Sequence, residues 1–110
     1  MAVYVDETRD YTFIAKFRGL RHTHWCHLTA DTESELHAFA GRLGLKRSWY
    51  QRKGPDDYRW HYDITPPKRA RALRLGAREV DRHFVAALLQ RRRDALGLPQ
   101  LPANRPSEEP

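Results

Sequence analysis

The sequence has little cysteine and no long apolar segment. Cys26 is the one cysteine among 110 residues, so no internal disulfide can form. No stretch approaches the roughly 20 apolar residues of a membrane-spanning helix, and no charged-then-apolar leader opens the chain. These absences argue against a disulfide-stapled secreted scaffold and predict a cytoplasmic protein without membrane contact.

Local motifs of several enzyme classes are also missing. We find no glycine-rich phosphate loop, no serine nucleophile elbow and no obvious pair of glycosidase carboxylates. Metal-binding spacings such as His-Glu-x-x-His or Cys-x-x-Cys are absent too. We therefore assign no metal ligands, and a divalent metal ion is left open as a cofactor that no motif supports.

The composition that is present favours one folded domain. Hydrophobic residues make up 40% of the chain and charged residues 31%, which suits a single packed core at this length. We predict one domain over residues 1–97 and a flexible, proline-rich tail over 98–110. The expected fold class is α/β (or α+β), with a small central mixed sheet and about three helices.

Capping signals predict the helices. Thr32 and Glu35 form a capping box before a helix that ends at Gly44, and Asp81 caps a last helix that reaches Leu96. Between them, Thr65 and Pro66 open a helix in which Ala70 and Leu73 face inward. Apolar runs predict strands over residues 2–5, 25–30, 45–51, 58–64 and 77–80, the third and fourth as a hairpin, and residues 7–21 read as a loop with a short strand over 11–17.

Positive charge is concentrated in one segment. The chain carries a net charge of +6, and residues 67–93 hold nine Lys or Arg against two Asp or Glu. This distribution favours a nucleic acid or another phosphate-bearing partner, although a solvated helix surface explains it equally well. The predicted anion-binding residues are Lys68, Arg69, Arg91, Arg92 and Arg93.

Lys68 and Arg69 occupy the first turn of their predicted helix, where the helix dipole disfavours cations. A bound phosphate at that N-terminus would offset this cost. Aromatic residues such as Trp49 and Tyr50 alternate with cations in the predicted hairpin, which suits either base stacking or ordinary cross-strand packing.

His61 and Asp63 form the most informative pair. In a strand they lie on one face, so the carboxylate would orient the imidazole for acid–base chemistry or anion binding. The alternative is a capping role for Asp63 and a partly buried, structural His61. The sequence also contains a weak internal repeat, in which a strand is followed by a helix and Leu-Gly. This repeat places His27 in a position comparable to that of His61. The candidate catalytic residues are His61, Asp63, His27, His37 and Asp6.

Several segments together resemble a known family. They include Ala2-Val3-Tyr4-Val5-Asp6, Trp25-Cys26-His27-Leu28, His61-Tyr62-Asp63 and the run from Lys68-Arg69 to Leu75-Gly76-Ala77. Over residues 1–80 the chain resembles the small bacterial and bacteriophage proteins of DUF4031, a domain of unknown function. The resemblance implies a bacterial or phage origin and a shared core, but no activity, and it leaves the last helix outside.

Two hypotheses of function follow. The first is a His/Asp cleft that binds or hydrolyses a phosphate-bearing ligand, either a nucleotide or a nucleic acid, by hydrolase or phosphoryl-transfer chemistry. In it His61 acts as acid or base, Asp63 orients it, and Lys68 and Arg69 hold the anion. The second is a non-catalytic accessory module that binds nucleic acid or protein through basic helices. The sequence leaves open whether the protein is an enzyme and whether it forms a homo-oligomer.

Overall fold

The chain folds into one small sheet and several helices. The computed structural model describes residues 2–99, in which five strands and four α-helices form an α+β fold, as predicted. The strands are β1 (Val3–Val5), β2 (Arg9–Asp10), β3 (His24–Ala30), β4 (Tyr62–Ile64) and β5 (Arg78–Glu79). The helices are α1 (Thr12–Arg18), α2 (Glu33–Arg42), α3 (Pro66–Arg74) and α4 (Arg82–Ala95).

The sheet is mixed and has β3 at its centre. β1 and β2 pair antiparallel with successive parts of one edge of β3, and β4 pairs antiparallel with the other edge. β5 extends the sheet by pairing parallel with β1. The chain therefore builds its sheet from short strands arranged around one seven-residue strand.

One face of the sheet is apolar and forms the core. Val5, Leu28, Tyr62 and Ile64 are almost completely buried on this face. Helices α2 and α3 contribute further apolar side chains, which are Leu36, Phe39, Ala40, Leu43 and Ala72. Side chains alternate along a strand, so the residues between these apolar positions point to the opposite face.

The predicted helix starts at Thr32 and Asp81 are confirmed. The Thr32 hydroxyl accepts a hydrogen bond from the Glu35 backbone N–H, and the Asp81 carboxylate accepts one from the Phe84 N–H. Such side chains satisfy backbone donors that the first helical turn leaves unpaired. Thr65 precedes α3 as predicted, but its side chain makes no capping hydrogen bond.

Three local predictions are wrong. The segment predicted as a short strand over residues 11–17 is helix α1. The strand predicted over 45–51 is instead a 3-10 turn at Arg47–Trp49, and only the Gln51↔His61 bridge remains of the hairpin. In α3 the inward-facing alanine is Ala72 rather than Ala70, which is exposed.

A β-bulge interrupts the edge of the sheet that β1 and β2 form. Between the pairs Val5↔Leu28 and Arg9↔Trp25, this edge has three residues where β3 has two. One extra residue in one strand defines a bulge, which bends the chain and redirects side chains. The bulge begins at Asp6, whose N–H still donates to the His27 carbonyl at 3.3 Å.

Helix α4 lies over part of the polar face of the sheet. The Phe84 ring contacts the Tyr4 ring at a centroid distance of 4.7 Å, and the Arg92 guanidinium donates to the Thr29 hydroxyl. None of the helices in residues 2–99 is long and apolar enough to cross a membrane. The tail predicted over 98–110 lies almost entirely outside the described residues, so the predicted domain boundary stays a prediction.

Candidate functional site

Four polar side chains meet on the face of the sheet opposite the core. The register pairs His27 of β3 with Asp63 of β4, and Asp6 lies on the other side of His27 at the bulge. His61 precedes Asp63 by two residues, so both side chains project from the same face. We refer to Asp6, His27, His61 and Asp63 as the polar cluster.

Asp6 holds His27 through two hydrogen bonds. Its Oδ2 lies 2.7 Å from His27 Nδ1, and its Oδ1 accepts from the His27 backbone N–H at 2.6 Å. A carboxylate can only accept, so His27 Nδ1 carries the proton and Nε2 is directed away from Asp6. Asp6 is 5% exposed, and this buried carboxylate fixes both the position and the tautomer of the imidazole.

The second histidine is held in a similar way. His61 Nδ1 lies 2.5 Å from the backbone carbonyl of Arg59, which also can only accept. His61 Nε2 lies 3.2 Å from Asp63 Oδ1, and His27 Nε2 lies 3.8 Å from the same oxygen. Both Nε2 atoms therefore point toward one carboxylate oxygen, with the two rings edge to face at 4.7 Å.

Charge and burial oppose each other in the polar cluster. Burial raises the pKa of the Asp6 carboxyl, but the hydrogen bonds from His27 outweigh it and the pKa is lowered. Burial likewise raises the pKa of Asp63, but the hydrogen bond and the charge of His61 outweigh this effect, so the pKa is lowered. The pKa of His61 is raised, because the Asp63 carboxylate overcomes the opposite effect of burial.

The polar cluster opens into a large pocket. This main pocket has a volume of about 910 Å³ and includes His27, His61 and Asp63 in its wall. Four aromatic side chains and two cations also line it, and these are Tyr11, Trp25, Trp49, Tyr50, Arg18 and Lys68. A smaller cavity of about 130 Å³ under α4 reaches Asp6 and the other side of the two imidazoles.

Lys68 and Arg69 have partners within the protein. Lys68 Nζ donates to the carbonyl of Leu43 at the C-terminal end of α2, where the helix dipole favours a cation. Arg69 donates to the Asp6 carbonyl at 2.9 Å and pairs with Glu79 at 2.8 Å. Their position in the first turn of α3 therefore does not require a bound phosphate, and Arg69 lies beside the polar cluster as a support for Asp6.

The three C-terminal arginines have three different environments. Arg91 is exposed, and Arg93 stacks on the Tyr58 ring with its guanidinium carbon 4.8 Å from the centroid. Arg92 is 9% exposed and donates to three backbone carbonyls and to the Thr29 hydroxyl. The predicted anion-binding role is thus incompatible with the placement of Arg92, whose guanidinium lies inside the protein.

His37 and Cys26 lie on the opposite side of the sheet from the polar cluster. His37 Nδ1 lies 2.9 Å from the Tyr62 hydroxyl, and Tyr62 projects into the core face of β4. The structure therefore does not bring His37 together with the other four candidate residues. Burial raises the pKa of the Cys26 thiol to about 12, which keeps it protonated and inert as a nucleophile.

Sequence reasoning missed two contributors to the site. Gln51 donates from Nε2 to Asp63 Oδ2 at 2.6 Å, and the Arg59 backbone carbonyl orients His61. The Gln51 contact depends on the single bridge between Gln51 and His61, which a general strand pattern over 45–51 does not identify. The backbone contact of Arg59 has no side-chain signal in the sequence at all.

The arrangement offers two kinds of chemistry. A carboxylate–imidazole pair suits proton transfer. One ligand atom each from His27, His61 and Asp63 lie within 4.8 Å of one another, which is near enough for the three residues to share a metal ion. No local spacing motif predicts this set of three ligands, because 34 positions separate His27 from His61 along the chain. The register of β3 and β4 is what brings them together.

Fold and site together define an α+β protein with a two-histidine, two-aspartate cluster beside a large pocket. The chain belongs to the family described as "Protein of unknown function (DUF4031)", whose model matches residues 3–92. This confirms the resemblance and corrects its extent, because the match continues through most of α4. Comparison with curated proteins and with solved structures gave no significant match.

Proposed function

We propose that this protein hydrolyses a phosphate-bearing ligand of the nucleotide or nucleic-acid class, with the polar cluster as its reaction centre. The observation that carries the proposal is the convergence of His27, His61 and Asp63 in the wall of the main pocket. Perturbed, mutually oriented titratable groups in a large concave pocket are typical of enzyme active sites.

The other walls of the main pocket suit such a ligand. Trp25, Trp49 and Tyr50 offer aromatic surface on which a base can stack. Arg18 is exposed at the pocket, and Lys68 Nζ uses only one of its three donors on Leu43. Both cations therefore offer donors to a phosphate group bound in the main pocket.

A hydrolysis screen tests the proposal. The purified protein is incubated with a phosphomonoester, a phosphodiester, a nucleoside triphosphate and single-stranded RNA, with and without added divalent metal ions. We expect turnover of at least one of these, and we expect His61→Ala and Asp63→Asn to reduce it by two orders of magnitude or more.

His83→Ala is the matched control, because His83 is exposed at the start of α4 and lines neither cavity. This variant should retain full activity. Turnover that survives in His61→Ala and Asp63→Asn, with both variants folded, would place the reaction elsewhere. No turnover of any ester class by the wild-type protein would remove the hydrolase proposal.

A second candidate function rests on the exposed arginines. Arg71, Arg74 and Arg78 are exposed, and none of them lies within 4.0 Å of a carboxylate in residues 2–99. Unpaired surface cations favour non-specific binding of nucleic acid, with an affinity that falls steeply with salt.

The salt dependence of binding tests this second candidate. We expect the triple variant Arg71→Ala/Arg74→Ala/Arg78→Ala to bind duplex DNA more weakly and with a shallower dependence on salt. The slope should fall by about one unit for each phosphate that the variant no longer neutralises. Arg92 is left unchanged because it is buried. An unchanged slope would exclude this surface, and His61→Ala should leave the slope as in the wild type.

A further inference from the structure

The ligand atoms of three residues in the polar cluster converge on one point of the pocket wall. His27 Nε2 and His61 Nε2 lie 3.8 Å and 3.2 Å from Asp63 Oδ1. Bonds of about 2.1 Å to a tetrahedral metal ion would place such atoms about 3.4 Å apart. These two separations bracket that value, and the ligand atoms of all three residues lie within 4.8 Å of one another.

The atoms behind these ligands supply a second, independent observation. In protein metal sites, a ligating histidine almost always donates its other N–H to a carboxylate or a backbone carbonyl. His27 Nδ1 faces Asp6 Oδ2 and His61 Nδ1 faces the Arg59 carbonyl, so both arrangements occur here. The third ligand is oriented as well, because Gln51 donates to Asp63 Oδ2 at 2.6 Å.

We propose that His27, His61 and Asp63 bind one divalent transition-metal ion through the two Nε2 atoms and a carboxylate oxygen. Asp6 and Gln51 act as positioning residues that hold His27 and Asp63. Two imidazoles and one carboxylate suit Zn²⁺ or Co²⁺ better than Mg²⁺ or Ca²⁺, which prefer oxygen ligands.

Three protein ligands leave at least one coordination position for water or substrate. This is the pattern of catalytic rather than structural zinc sites, and the ligands lie in the wall of the main pocket. As a statement about catalysis, the inference rests on the proposed function, since the ion would activate the water that attacks the phosphate ester. As a statement about metal binding, it stands independently of any substrate.

Direct metal binding is the experiment. The chelator-treated, dialysed protein is titrated with Zn²⁺ by calorimetry and with Co²⁺ by visible absorption spectroscopy, without substrate. We expect one equivalent to bind, with the visible bands of a low-coordinate Co²⁺ site. His27→Ala and Asp63→Asn should weaken binding by at least 100-fold, and Asp6→Asn by 10-fold to 100-fold.

His22→Ala/His24→Ala is the matched control, because it removes the other close pair of histidines and leaves the polar cluster intact. It should bind as the wild type does. Circular dichroism of each variant separates loss of the site from loss of the fold. No stoichiometric binding by the folded wild-type protein, or equal binding by folded His27→Ala, would overturn the inference.

Metal binding and hydrolysis fail in distinguishable ways. Stoichiometric binding that depends on His27 supports the metal site even when no phosphate ester is turned over, and only the proposed function then fails. Undiminished turnover by the chelator-treated protein, with no metal bound, would overturn the catalytic role of the ion and leave the proposed function standing, while the titrations decide metal binding by themselves.

Discussion

Arg92 is the residue whose role differs most from its appearance in the sequence. It stacks on Trp60, with its guanidinium carbon 3.4 Å from the ring centroid, and it donates to the carbonyls of Tyr58, Trp60 and Ala30. Burial lowers the pKa of Arg92 to about 10, which leaves the group charged at neutral pH. This guanidinium links α4 to the strand end of β3 and to the segment before β4.

We expect Arg92→Ala to destabilise the protein by about 3–5 kcal/mol, because it leaves several buried carbonyls without a donor. Arg92→Lys should restore little of this, since an ammonium lacks the planar donor geometry. Urea unfolding measures both effects. The adjacent, exposed Arg91→Ala should change stability by less than about 0.5 kcal/mol, and equal losses at the two positions would contradict the assigned role.

Glu33 gives a prediction about pH. Burial raises the pKa of its carboxyl, but hydrogen bonds from Tyr50 and Arg52 outweigh this and lower it. A folded-state pKa below the unfolded value stabilises the protein above the unfolded pKa, and the effect is lost as pH falls through the folded pKa. The Glu33 side chain is 37% exposed, so we expect less than about 1 kcal/mol.

Glu33→Gln should therefore flatten the loss of stability on acidification below about pH 5. Urea unfolding at several pH values from neutral to acidic measures this difference. Glu7→Gln, at an exposed position, is the control and should follow the wild-type curve. Superimposable curves for Glu33→Gln and wild type would show that the hydrogen bonds from Tyr50 and Arg52 do not stabilise the folded carboxylate.

Among the elements, α1 is a helix with almost no buried apolar surface. Ala15 is its one buried residue, whereas Phe13 and Phe17 are 84% and 86% exposed. We expect Phe13→Ser and Phe17→Ser to change the free energy of unfolding by less than about 0.5 kcal/mol each, since Phe and Ser have similar helix propensities. Leu28→Ala, in the core of β3, should cost about 2–5 kcal/mol.

Denaturant unfolding compares the three variants, and far-UV circular dichroism confirms that α1 persists. A loss above about 1.5 kcal/mol for either phenylalanine would show that these rings are buried in solution, in conflict with the exposed α1 surface.

The same helix shows where sequence patterns lose their predictive power. Thr32 and Asp81 predict the starts of α2 and α4, because capping is an interaction between residues close in sequence. The apolar run of β3 is also a local pattern, and it predicts that strand. Residues 11–17 contain β-favouring aromatics, and the N-cap residue Tyr11 makes no side-chain capping hydrogen bond. The local signal for α1 is Asp10 alone, whose carboxylate accepts from the Thr12 backbone N–H at 2.8 Å. Trp49 and Tyr50 also favour a strand, but the segment over 45–51 makes only one bridge in the structure. Tertiary contacts therefore determine the conformation of this segment more than its strand propensity does.

The polar cluster is also predictable from local sequence patterns only in part. Strand alternation predicts that His61 and Asp63 share a face, and the structure agrees. That Asp6 and His27 join them depends on the register of β1, β3 and β4 and on the bulge after Asp6, which are non-local. His37 is a candidate by its residue type alone, and the opposite face of the sheet separates it from the other four residues.

At the scale of the whole molecule, one face of the small sheet forms the hydrophobic core and the other carries the polar cluster. The core face buries the apolar side chains of α2 and α3, while the other face holds two carboxylates and two imidazoles beside the main pocket. The carboxylates and imidazoles of that face are already paired with one another in the folded protein. A metal ion that binds only the folded protein would add further stability by mass action.

The thermal stability of the protein should therefore depend on metal concentration. At a free Zn²⁺ concentration 100 times its dissociation constant, linkage predicts about 2.7 kcal/mol of stabilisation, or roughly 10 °C in the unfolding midpoint of a domain of this size. Scanning calorimetry with and without a chelator measures the shift. His27→Ala should abolish it and His83→Ala should preserve it, whereas equal shifts in wild type and His27→Ala would mean that the ion stabilises the protein from another surface.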